Sequence, residues 1–186
     1  MPIITKSELR QSANKKLFIN ESIDTEFRKA FNDSPIGKEV TVFLSHSHED
    51  KKAVQELIVI LRKIGIKIYV DWMDDDMPQA TSGVTAEKIK VKIRENKKFI
   101  LLATNKAISS KWCNWELGLG DAAKYINHIS LIPVADDNNH WTGNEYLQIY
   151  PRIEKEDRFY GARIIEYWYV IFPNGRRVML EDWLRS

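Results

Sequence analysis

The sequence predicts an α/β fold, a parallel sheet covered by helices on both faces, and three observations carry that reading. Short apolar runs alternate with helix-spaced segments through the middle of the chain. Each run is continuously apolar, as a strand buried on both faces must be. The polar loops at 45–50, 71–83 and 105–112 all follow strands, so they share one rim, where parallel sheets bind ligands.

The first forty or so residues place Leu9, Leu17, Phe18, Ile19, Ile23, Phe27 and Phe31 at loose intervals, which suggests one or two helices docked on the main body. "SPIGKE" breaks that pattern, and "VTVFLS" (40–45) begins the first core strand. Val54, Leu57, Ile58, Leu61 and Ile64 then fall at helical spacing, with Gly65 as the C-cap. "IKIYVDW" is a second strand, "MDDDMPQATSG" a long polar connection, and "VTAEKIKVKIRENK" a helix that turns Ile89 and Ile93 inward. "FILLAT" is the third strand, "SSKWCNWELGLGD" starts a helix reaching about Asn127, and "HISLIPVA" is the fourth strand. Further on, "RIIEYWYVIFPNGRRVMLEDWL" holds two apolar runs around a turn sequence, a hairpin whose aromatics serve packing. The chain thus divides into an N-terminal helical extension (1–37), a core (38–135) and a C-terminal extension with the hairpin (136–186).

Length and composition bound the function. The 186 residues, 44% of them hydrophobic, suit one domain with modest additions. Basic and acidic residues nearly balance, 28 against 26, and the basic ones are scattered, which weighs against nucleic acid as the principal partner. No segment approaches the ~20 apolar residues of a membrane span and the amino terminus lacks a signal-peptide run, so a cytoplasmic protein is expected. The single cysteine, Cys113, excludes an internal disulfide and a cysteine-only zinc site, and reads as a packing residue.

Several constellations invite a chemical reading. Asp74, Asp75 and Asp76 follow Asp71 as carboxylates of a magnesium site would, but the first strand ends in Leu44, Ser45, His46 with no acidic pair, so they read as a solvated loop. "HSHED" sets His46 and His48 beside Glu49 and Asp50. That set could hold zinc, yet His-x-His alone is a weak signal, and the residues read as a polar loop that caps the next helix, with Ser47 or Asp50 as N-cap. "GLG" (118–120) lies inside a helix and is no dinucleotide fingerprint; small residues there allow close packing.

Glu116 is the strongest candidate. With Ser109 or Ser110 as N-cap, Trp112 and Glu116 stand at i and i+4 on one face, while Trp115 and Leu119 share an adjacent face that can enter the core. The helix dipole favours the ionised carboxylate and burial against indoles opposes it, a conflict common where a carboxylate has work to do. On pattern alone the residue stands evenly between helix support and active site.

Three motifs in order resemble the TIR (Toll/interleukin-1 receptor) domain family in its bacterial form: "VFLSHSHED", "LRKIGIKIYVDWMDDDMPQATSG" and "KFILLATNKAISSKWCNWELG". The resemblance covers about 38–135 and implies a flavodoxin-like sheet of about five parallel strands. It also implies one of two functions. Some members are adaptors, or mimics of host signalling, that only assemble through the loop after the second strand, the BB loop, here 73–83. Others cleave NAD+ at the nicotinamide–ribose bond and release ADP-ribose or a cyclised or conjugated variant. In those, the glutamate of W-x-x-x-E is catalytic, which falls on Glu116, and adaptors often lack it. The resemblance further implies that Ser45, His46, Asp71, Trp72 and Trp112 line the substrate cleft. It implies no metal and no cofactor, with NAD+ as substrate, self-association through the BB loop, and a role like that of phage-defence systems such as Thoeris, in which a separate effector senses the nucleotide product.

Overall fold

A computed structural model describes residues 3–17, 21–32, 41–62, 67–71 and 82–186. The first core strand, β2 (Thr41–Ser45), lies between β3 (Lys67–Tyr69) and β4 (Lys98–Thr104), and β5 (Ile129–Ala135) and β6 (Arg152–Tyr160) follow, all pairing parallel. Counted along the chain, these five strands stand in the order 2-1-3-4-5, the flavodoxin-like arrangement.

Burial on both faces explains the continuous apolar runs. Val42, Leu44, Ile100, Leu102, Ile132 and Val134 point into one core with α1 (Lys6–Lys15), α2 (Ile23–Asn32), α3 (Lys51–Arg62) and α8 (Leu180–Arg185). The alternate residues Phe43, Phe99, Leu101, Ile129 and Leu131 point into the other, with α4 (Gly83–Glu95), α5 (Asn105–Ser109) and α6 (Lys111–Ala123). The connection from β2 to β3 moves outward and that from β3 to β4 moves back past β2. Right-handed crossovers then require α3 and α4 on opposite faces, as observed. Val54, Leu57, Ile58 and Leu61 of α3 are buried as their spacing predicts, and so are Ile89 and Ile93 of α4.

The glycines of α6 divide in role. A Cβ on Gly120 would sit 3.0 Å from the Phe99 ring, so this glycine lets the helix approach β4, whereas one on Gly118 would meet nothing within 4 Å.

Several elements differ from the sequence expectation. The amino-terminal segment contributes a two-residue strand, β1 (Ile4–Thr5), paired parallel with the end of β5, in addition to helices. The expected loop at 105–112 holds the short helix α5, and the helix that follows, α6, ends at Ala123 before a short 3₁₀ turn that precedes β5. The turn at Asn174 and Gly175 joins β7 (Arg163–Ile171) to β8 (Arg177–Met179) as expected. A longer hairpin was not foreseen, in which β6 pairs antiparallel with β7 over its whole length. The sheet therefore runs past residue 135 without interruption. Trp168, Phe172 and Trp183 are buried packing residues, while Tyr167 and Tyr169 are partly exposed. Gly65, Asp74–Asp76 and most of the expected BB loop lie outside the described residues.

Candidate active site

The rim formed by the carboxyl ends of β2, β3 and β4 is the switch point of the sheet, because β2 sends its chain to one face and β4 to the other. Alternation along the strands decides which side chains meet there. Ser45 ends β2 on the face covered by α6, while Thr104 ends β4 on the face covered by α3.

Helix α6 starts at Ser110, whose hydroxyl accepts from the Cys113 amide at 3.3 Å. This start carries Glu116 inward beneath Ser45. The carboxylate is only 3% exposed, and the Ser45 hydroxyl donates to its Oε2 at 2.5 Å. Burial pushes the Glu116 carboxyl up to about 8 and the charge of Asp71 adds to this, while the Ser45 hydroxyl and Trp112 indole favour the ionised form. Burial likewise raises the Cys113 thiol to about 11, so it is a packing residue and no thiolate nucleophile.

Trp112 stacks on Trp115 with ring centroids 4.8 Å apart and a tilt of 33°. Both rings are partly buried, which corrects the expectation that Trp115 sits in the core: the two indoles form one patch on the helix beside Glu116. His46 is buried and its Nδ1 donates to the Leu44 carbonyl at 3.1 Å, which leaves Nε2 facing Asp71 Oδ1 at 3.7 Å. Burial lowers the His46 pKa, and the Asp71 charge opposes this. The structure thus brings Ser45, His46, Asp71, Trp112 and Glu116 to one rim; Trp72 lies outside the described residues.

The two acidic residues of "HSHED" turn away from its histidines. Glu49 pairs with Lys106 at 2.6 Å. Asp50 does not cap the next helix, since Ser47 caps the turn; it accepts from Thr104 at 2.5 Å and from Lys6 at 3.2 Å. Thr104 in turn caps α5 by accepting from the Ala107 amide, so one buried carboxylate fixes the ends of β4 and α1 to the loop after β2. Sequence reading missed this brace, whose partners lie in three separate segments.

The strand order, the serine–histidine loop and the inward glutamate of W-x-x-x-E are those of a TIR domain. The TIR domain family matches residues 42–159, and the chain belongs to that family. Within it the chain is similar to the probable 3′ cyclic ADP-D-ribose synthase ThsB′ of Bacillus cereus (strain MSX-D12), with 25% identity over 165 residues, 83% of this chain and 84% of that protein. It is also similar to the putative cyclic ADP-D-ribose synthase TIR2 of Cytobacillus dafuensis, with 29% identity over 122 residues, 59% of this chain but 32% of that longer protein. The crystal structure of the TIR domain of the Toll-related receptor TRR-2 from Hydra magnipapillata aligns with 48% of this chain and 66% of its own, at 23% identity and a TM-score of 0.40.

Proposed function

We propose that this TIR domain cleaves the nicotinamide–ribose bond of NAD+, releasing nicotinamide and an ADP-ribose product, in cytoplasmic anti-phage signalling. The observation that carries the reading is Glu116, a carboxylate buried on the ligand rim with a hydroxyl and an indole as its partners. A module that only assembles has no use for an acid held at this cost.

The chemistry asks for little else. When the C1′–N bond breaks, its electron pair leaves with nicotinamide, which departs neutral without a general acid. Positive charge develops on the ribose, and an ionised Glu116 beside it stabilises that charge, as carboxylates do in glycoside cleavage. The pyridinium of bound NAD+ itself favours ionisation of Glu116, so the charge appears when substrate arrives. Ser45 holds Oε2 in place, His46 and Asp71 line the same rim, and the partly exposed Trp112 ring offers a stacking face. The oxocarbenium is then captured by water or by a nucleophile of the same nucleotide. The names of both bacterial relatives support the second outcome, a cyclic ADP-ribose. Self-association through the BB loop and a separate effector that senses the product belong to the same proposal.

One experiment tests it. Purified full-length protein is incubated with NAD+ over a range of protein concentrations and the products are separated by chromatography. Nicotinamide with a cyclic ADP-ribose is expected, at a rate rising faster than linearly with protein. Intact NAD+ at high protein concentration would overturn the enzymatic reading, and strict proportionality would remove the self-association.

A further inference from the structure

We infer that His46, His48 and Asp71 form a binding site for a divalent cation of the zinc class at the carboxyl ends of β2 and β3. One ligand atom from each of the three lies within 4.8 Å of the others. The sheet makes this cluster: β2 and β3 pair side by side, so the loop after β2 and Asp71, two residues beyond the end of β3, emerge together.

The second nitrogen of His46 strengthens the assignment. The Leu44 carbonyl can only accept, so Nδ1 carries the hydrogen of that 3.1 Å bond and Nε2 is the nitrogen turned to Asp71. Ligand histidines are commonly fixed in this way, with one ring nitrogen donating to a carbonyl and the other presented to the metal. The His46 Nε2 to Asp71 Oδ1 distance of 3.7 Å is close to the roughly 3.4 Å between neighbouring ligands in a tetrahedral site with bonds of about 2.0–2.1 Å. His48 is exposed and its ring stands edge-on to His46, with centroids 6.1 Å apart. A side-chain movement that brings its nitrogen from within 4.8 Å to about 3.4 Å of the other two ligand atoms completes the set. A simple ion pair would employ His46 and Asp71 alone; a cation employs all three.

The donor set selects the ion. Two imidazoles and one carboxylate suit zinc, cobalt or nickel, whereas magnesium and calcium favour oxygen ligands throughout. Three protein ligands leave a fourth position for water or for a substrate oxygen. Sequence alone pointed away from a metal here because His-x-His by itself is a weak signal, and the structure shows the adjacent carboxylates, Glu49 and Asp50, engaged elsewhere. The third ligand comes from the next strand.

Cobalt titration tests the site, because four-coordinate Co2+ absorbs in the visible. Untagged, metal-stripped full-length protein should bind Co2+ mole for mole with the appearance of d–d bands, and Zn2+ should bleach them. His48→Ala and Asp71→Asn should each weaken binding by about a hundredfold or more, since outer partners alone are worth about 10- to 100-fold. His140→Ala, a control at an exposed histidine, should leave it unchanged. Because His48 is exposed, its variant keeps the fold, and circular dichroism verifies this. Absence of saturable binding, or a His48→Ala protein that binds as tightly as the parent, overturns the site. The readout contains no NAD+, so the site and the proposed NAD+ cleavage stand or fall separately.

Discussion

The rim around Glu116 and the ribbon formed by β6 and β7 treat their charges in opposite ways. On the ribbon, acids and bases pair with one another near the surface: Arg152 with Glu154 at 2.6 Å, Lys155 with Asp157 at 2.9 Å, and Glu156 with both Arg158 and Arg177 at 2.9 and 2.5 Å. The hydrogen bond from Arg177 to Glu156 leads the causes that hold this carboxyl below its ordinary value, so it is ionised throughout the neutral range. On the rim, Glu116 is buried and, among the described residues, has a hydroxyl and an indole as partners and no cation. Exposed pairs contribute little to stability, and a buried acid without a counter-charge subtracts from it. A fold that pairs its acids elsewhere and leaves this one uncompensated has put the charge where it is used.

The largest effect that could break this contrast comes from Glu116→Gln. NAD+ cleavage should fall about 10²-fold or more, roughly 3 kcal/mol of lost transition-state stabilisation. Stability should move the other way. The folded state holds the Glu116 proton up to about 8, while the unfolded chain releases it near the ordinary 4.5. From that lower value upward the native state binds more protons, so wild-type stability falls as pH rises and levels off above the upper value. Glutamine has no proton to lose, so the variant should be the more stable protein at pH 9, by roughly 2–4 kcal/mol, and nearly equal to the parent near pH 4. Denaturant unfolding at both pH values checks this; equal alkaline stability would mean that Glu116 is not a buried uncharged acid.

A smaller effect should follow from Ser45→Ala. The hydroxyl bonds the carboxylate, so its removal disfavours the ionised form further. The rising limb of kcat/KM against pH should shift alkaline by about one unit, with activity near pH 7 down by about tenfold. An unmoved limb with lowered activity throughout would reduce Ser45 to a packing role.

Much of this was legible in the sequence where burial dictates residue type. The strands β2, β4 and β5 are apolar on both faces and announce themselves, and Glu116 is flagged by its interval from Trp112. β6 was hidden because "RIEKEDRFY" is held by cross-strand pairing and surface charge, so its residues do not read as core. β1 is hidden by its length, two residues on an edge of β5. The end of α6 was overread because Ala122 and Ala123 suit a helix and nothing in the sequence marks Lys124 as the cap. Meetings of distant segments, such as the bond of Asp50 with Thr104 or the approach of His48 to within 4.8 Å of Asp71, depend on strand order and could not be read from spacing.

Trp112→Ala sharpens the contrast within the rim itself. If the exposed face of the indole stacks on a flat part of NAD+, its loss should raise KM by about tenfold, in line with roughly 1–3 kcal/mol for stacking of a base on an aromatic ring, with a smaller change in kcat. The tilted neighbour Trp115 keeps part of the patch in place. An unchanged KM would leave the indole as a donor to Glu116 and nothing more.

The smallest effect is expected on the ribbon, where Arg158→Ala removes a cation that bonds Glu156 and lies over the Tyr167 ring with its guanidinium carbon 5.0 Å from the centroid. Glu156 keeps Arg177, which also lies over the Tyr169 ring at 4.3 Å, so the carboxylate retains a second cation. The denaturation midpoint should not move measurably, and the rate of NAD+ cleavage in dilute protein should be that of the parent. A clear loss of stability would show that the surface pairs of the ribbon hold the sheet together, and the contrast with the rim would then have to rest on Glu116 alone.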